Sequence, residues 1–72
     1  MKLKIVEADY GLFYVMVKLN WYSKWKVIDY NNHQFKTYKS VNDYWKDYDT
    51  TFNDTYQKAD ELLKKYKNNY GI

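Results

Sequence analysis

Cysteine, proline and arginine are absent from this chain, and its 72 residues include only two glycines. Without cysteine there is no disulfide framework, no thiol nucleophile and no thiolate metal site. That composition fits a reducing compartment, so a cytoplasmic protein is expected. Without proline, and with so little glycine, linkers and low-complexity loops are not expected. The missing arginine removes the side chain that grips phosphate and guanine bidentately. All twelve basic residues are lysine. Long hydrophobic runs are missing too. The longest uncharged apolar run, Leu12 to Val17, is too short to cross a bilayer, and no secretory hydrophobic region follows Lys2 and Lys4. One small domain with no membrane role is the expectation. At this size folding buries only about 60 % of the unfolded chain's surface, so the core is small.

What is present divides into a sheet half and a helical half. Residues 2–10 alternate loosely, with Leu3 and Ile5 on one face and Val6, Ala8 and Tyr10 on the other, and read as a strand. Gly11 permits a turn. Residues 12–19 form a second strand, apolar on both faces and therefore central. Residues 20–24 are a turn that contains Trp21 and Tyr22, and 25–30 and 34–39 are two more strands. Asn31-Asn32 is the best turn signal and suits a two-residue hairpin, which would set Tyr30 opposite His33, Ile28 opposite Phe35 and Trp25 opposite Tyr38.

From Ser40 onward the period changes. Val41, Trp45, Tyr48, Phe52, Thr55, Ala59, Leu62 and Tyr66 recur at alternating gaps of four and three. That phase predicts a helix over 41–69, with Ser40 as its N-cap and Gly71 as its left-handed C-terminal residue. Asp49-Thr50-Thr51 is a run of poor helix formers, and Thr51 with Asp54 repeats the cap signature. A kink or a break near 49–51 is therefore the alternative to one continuous helix. A straight helix would be roughly 45 Å long and would overhang the sheet. The expected fold is α+β: an antiparallel meander of three or four strands, then a long C-terminal helix, kinked or not, across one face.

Catalysis finds little support in these residues. His33 is the only histidine, sits beside a turn, and has no evident nucleophile or acid partner. Asp43, Asp47 and Asp54 share approximate helical faces, and Asp60 adjoins Glu61. Such pairs could do acid-base work or hold a divalent cation, but a solvated face and a favourable arrangement along the helix dipole explain them better. There is no Gly-rich phosphate loop, and one histidine without cysteine makes no ordinary zinc site. No enzyme activity, metal or cofactor is expected.

Binding is better supported. Residues 1–39 carry seven lysines against Glu7, Asp9 and Asp29, whereas 40–72 carry five lysines against six acids. The sheet half is the basic half. There Lys18, Lys24, Lys26, Lys36 and Lys39 interleave with aromatic residues, the pattern of a sequence-tolerant single-strand nucleic-acid platform. Aromatics make up 22 % of the chain, with ten tyrosines, more than so small a core readily hides. Trp21, Tyr22, Trp25, Tyr38, Tyr44 and Tyr48 are the candidate contacts for a larger protein or nucleoprotein, because such rings offer large area at little rotamer entropy. Phe52, Ala59, Leu62, Leu63 and Tyr66 are candidates for pairing two copies into a homodimer.

Lysine, asparagine and tyrosine dominate the composition, as in proteins of AT-rich genomes. In size and composition the chain resembles small accessory proteins of phages and mobile elements of low-GC bacteria. That resemblance implies a non-enzymatic inhibitor of a host enzyme or defence nuclease, such as an anti-CRISPR, acting in the host cytoplasm by occluding a site.

Overall fold

Alternation in the first strand decides which way the sheet faces. In β1, Lys2–Glu7, Leu3 and Ile5 point to one side while Lys2, Lys4 and Val6 point to the other. β2, Phe13–Lys18, pairs with it antiparallel, placing Leu3 opposite Val17 and Ile5 opposite Val15. β3, Lys26–Asn31, and β4, Gln34–Tyr38, complete an antiparallel meander in the order β1-β2-β3-β4. Two helices follow, α1 over Val41–Lys46 and α2 over Tyr56–Tyr70. The computed structural model describes residues 1–8, 11–47 and 50–71, so the expected strand residues Asp9 and Tyr10 lie outside the description. The α+β class, the meander and the helix crossing it are as the sequence predicts.

One sheet face belongs to α2. Val15, Val17 and Ile28 pack there against Ala59, Leu62 and Tyr66, with Leu3, Ile5, Phe13, Tyr30, Phe35 and Leu63 at the margins. Tyr66 meets Phe35 edge to face at 5.3 Å. Burying side chains of this size contributes about 1.5–3 kcal/mol each. Ala59, Leu62, Leu63 and Tyr66 therefore face the sheet of their own chain. The fifth residue of the expected pairing row, Phe52, lies outside both helices and is partly exposed. Four of the five residues expected to join two copies thus pack within one copy.

The opposite face receives α1, which was not expected as a separate layer. Tyr44 is its anchor, buried to 1 % exposure, with ring contacts to Tyr14 at 6.2 Å and Tyr38 at 5.7 Å. The continuous form of the helix over 41–69 is thus corrected: the break alternative holds, and it is wider than the suspected triplet. Asp47 is already extended after α1, and the second cap is Thr55, not Thr51. A 45 Å helix could not fit a molecule whose longest dimension is 29 Å.

Backbone partners on the sheet explain the break. The Thr51 amide donates to Asp29 Oδ2 at 3.1 Å, and the Phe13 amide donates to the Asn53 carbonyl at 2.8 Å. The Asn53 side chain returns a bond to the Phe13 carbonyl at 3.2 Å. Extending the β2–β3 register would put Phe13 opposite Tyr30, but that pairing stops at Val15–Ile28 and Asn53 bridges Phe13 instead. The connector therefore passes from the α1 face to the α2 face through a notch where β2 and β3 part. A helix would use those amides and carbonyls internally; here the sheet supplies their partners.

Local chemistry sets the element ends. Ser40 Oγ accepts from the Asp43 amide at 3.2 Å, as its cap role predicts, and Thr55 Oγ1 accepts from the Lys58 amide at 3.2 Å. Gly71 closes α2 at φ +69°. The hairpin turn is Asn32-His33, both at positive φ, not Asn31-Asn32. That slides the register by two: Tyr30 faces Phe35, Ile28 faces Thr37, and Val27 faces Tyr38. The observed register joins the Tyr30 and Phe35 rings at 4.8 Å, and it sets Asp29 across from Lys36, a charge pairing that the expected register lacked. Thr55→Ala should lower stability by about 1 kcal/mol, or roughly 4–8 °C of melting temperature in a domain this small. Thermal circular dichroism checks this; an unchanged melting point would mean the cap contributes nothing.

Candidate functional site

The turn between β2 and β3 builds the most exposed aromatic pair among the described residues. The Ser23 amide donates to the Asn20 carbonyl at 3.1 Å, and Asn20 Nδ2 reaches Ser23 Oγ at 3.4 Å. Backbone and side chains so close a four-residue turn, with Trp21 and Tyr22 at its two central positions. Those positions point away from the strands. Trp21 is 88 % exposed and Tyr22 71 %, their rings edge to face at 5.5 Å. The turn, not core packing, fixes where the rings stand, so they are presented without being consumed by the fold.

The other expected contact residues do not join them. Trp25 is half-buried, with Lys4 Nζ 4.2 Å above its ring. Tyr44 is the core anchor of α1, and Tyr38 is half-buried against it, so neither is an exposed contact. Tyr48 lies outside the described residues. Tyr38 donates to Asp47 Oδ2 at 2.6 Å. Burial, with that bond, pushes the Tyr38 hydroxyl above its ordinary pKa. Burial also raises the Tyr44 hydroxyl. Sequence reasoning passed over a stacked pair, Trp45 and Phe52, 5.1 Å apart and partly exposed beside Tyr44. Their seven-residue spacing was visible, but it was assigned to one helix stripe.

The five lysines expected to form one basic surface are divided by the sheet. Lys26 stands opposite Val17 on the α2 face, whereas Lys36 stands opposite Asp29 on the α1 face. Lys24 and Lys39 are exposed in connecting segments. Only Lys18 belongs to a lysine group, and its companions are Lys2 and Lys4, which were not selected. The signal was present in Lys2-Leu3-Lys4-Ile5, since strand alternation puts both lysines on one face. Lys2 is the direct cross-strand partner of Lys18. A cleft of about 140 Å³ lies beside that pair, lined by Met1, Lys2, Lys18, Asn20 and Trp21.

The remaining concavities and acidic groups carry less. A cleft of about 200 Å³ involves Asp29, Thr51, Asn53, Lys58 and Glu61. Its most buried polar group, Asp29, already holds the Thr51 amide. A wider groove of about 570 Å³ runs between the hairpin tip and the end of α2, past His33, Lys65 and Tyr70. Among the described residues no three His, Asp or Glu side chains converge as metal donors, and no helix is long and apolar enough to cross a membrane. Asp54, just before α2, instead pairs with Lys58 at 2.8 Å, and Asp60 within the helix pairs with Lys64 at 2.9 Å. Comparison with protein-family models, with curated proteins and with solved structures finds no match to this chain.

Proposed function

We propose that this chain is a small non-enzymatic binding protein that docks on a larger protein and occludes a site there. The observation that carries the reading is the Trp21-Tyr22 turn, two large rings held outward by a closed turn and almost uncovered. Such rings lose little rotamer entropy on binding and fill pockets well, which is why tryptophan and tyrosine dominate interface hot spots. The resemblance to phage accessory proteins suggests the class of target, a host enzyme or defence nuclease. The target could itself be a nucleoprotein.

Trp21→Ala/Tyr22→Ala tests this directly. Tagged parent and variant chains are used to capture proteins from a low-GC bacterial lysate, with and without nuclease treatment. The variant should keep the parent's circular dichroism and melting temperature, because neither ring contributes to the core. It should lose the protein that the parent retains after nuclease treatment, with affinity for that purified partner reduced by at least about tenfold, or 1.4 kcal/mol. Unchanged affinity in the folded variant would remove the turn from the interface.

A further inference from the structure

We infer that the part of the sheet left open beside α1 is a binding face for single-stranded nucleic acid, with Lys2, Lys4 and Lys18 meeting phosphates and Trp21 stacking on a base. α1 lies mainly on β3 and β4, and the same face of β1 and β2 presents Lys2, Lys4 and Val6 beside Tyr14, Met16 and Lys18. No acidic residue stands on this face of either strand. Glu7, the one acid in β1 and β2, is opposite Phe13 and so points to the other side.

The lysine arrangement is unfavourable for the fold itself. Lys2 and Lys18 are direct cross-strand neighbours, and like charges so placed destabilise a sheet. An anion between them reverses the sign of that interaction. Lys4, two residues along the same face, is held 4.2 Å above the Trp25 ring. That contact fixes its ammonium near the surface without neutralising it. The cleft beside the Lys2–Lys18 pair has Asn20 and Trp21 in its lining. Two lysines, an asparagine and a tryptophan therefore border one concavity at the edge of a basic face.

That combination favours a single strand over the alternatives. A duplex keeps its bases stacked and would offer the indole no ring to pair with, whereas an unpaired base can lie on it. An acidic peptide would satisfy the lysines, but aspartate and glutamate bring no aromatic ring to the exposed indole, whereas every nucleotide carries one. With lysine alone and no arginine, phosphate is met as a point charge and bases are not read bidentately, so binding is sequence-tolerant. Trp21 is shared by this site and the protein-docking turn, whereas Lys2, Lys4 and Lys18 belong to this site alone and Tyr22 to the turn alone. On a nucleoprotein Tyr22 would meet protein while the lysines and Trp21 meet the strand.

The test uses a labelled oligo-dT strand of about 12 nucleotides, read by anisotropy and by tryptophan quenching across a salt series. Binding with quenching is expected, and three phosphate contacts predict a log–log salt slope of about −2. Lys2→Gln/Lys18→Gln removes a repulsive pair, so it should fold at least as well as the parent. It should bind at least tenfold more weakly, with the slope reduced to about −0.7. Trp21→Ala should lose affinity together with much of the quenching. No binding at low salt, or equal binding by the folded double-lysine variant, would overturn the site. So would poly-glutamate bound as tightly as oligo-dT, which would assign the face to acidic protein. If oligo-dT binding fails while Trp21- and Tyr22-dependent capture of a protein persists, this inference falls and the docking proposal stands.

Discussion

Tyr44→Ala is expected to remove about 3–5 kcal/mol of stability, the range for truncating a buried large ring. A 72-residue domain commonly holds about 4–11 kcal/mol in total. The variant should therefore be close to unfolding. Tyr44 is 1 % exposed and is the only residue of α1 that is fully buried. Its ring touches Tyr14 and Tyr38 from the sheet and Phe52 from the connector. A six-residue helix has no independent stability, so its position depends on that one anchor.

The controls separate ring packing from the hydroxyl and from the neighbouring tryptophan. Tyr44→Phe loses a single long hydrogen bond, 3.4 Å to the Thr51 carbonyl, and should cost about 1 kcal/mol or less. Trp45→Ala removes a larger side chain that is already 36 % exposed, and should cost less than Tyr44→Ala. Urea denaturation would show the order, with the midpoint moving and the slope nearly constant. If Trp45→Ala proved the more damaging of the two alanine variants, the anchor of α1 would be Trp45, the member of the pair that the apolar period favours.

That reversal shows what the sequence exposes and what it conceals. β1 to β4 were legible because strand alternation is a local pattern and each strand carries its own. Ser40 and Gly71 were legible because caps are read within a few residues. The break between the helices was not, because its causes are distant. Thr51 is 22 residues from the carboxylate that takes its amide, and Asn53 is 40 from the strand it bridges. An apolar period counts side chains and is blind to such backbone partners. Two arrangements shared one seven-residue spacing, and only the sheet chose between them. The candidate site divides the same way. Trp21 and Tyr22 were legible as rings inside a turn. Lys2 and Lys4 were read as the flank of a strand, and their meeting with Lys18 needed the β1–β2 register.

Asp29 gives the second large effect, and its size should depend on pH. The carboxylate is 1 % exposed, holds the Thr51 amide, and faces Lys36 across the β3–β4 ladder. Burial pushes its pKa above the ordinary carboxylate value, and the nearby Asp47 carboxylate adds to that. Amide bonds from Thr51 and Tyr30, and the charge of Lys36, oppose it. A carboxyl whose folded pKa is raised binds its proton more tightly when folded. Its contribution to stability is therefore complete below the unfolded value of 3.8 and diminishes as pH rises through the folded pKa. Asp29→Ala leaves the Thr51 amide unpaired, a cost of about 1–3 kcal/mol. That cost should be greatest in acid, where the native carboxyl is neutral, and smaller at pH 7, where alanine also relieves a buried charge. Asp29→Asn should show the same trend, its stability relative to the parent rising from about pH 4 to pH 7. Paired urea titrations across that interval isolate Asp29, because every other carboxylate is common to both chains. A gap that moved the other way would mean that the amides and Lys36 outweigh burial, and that the ionised carboxylate is what holds the connector in the notch between β2 and β3.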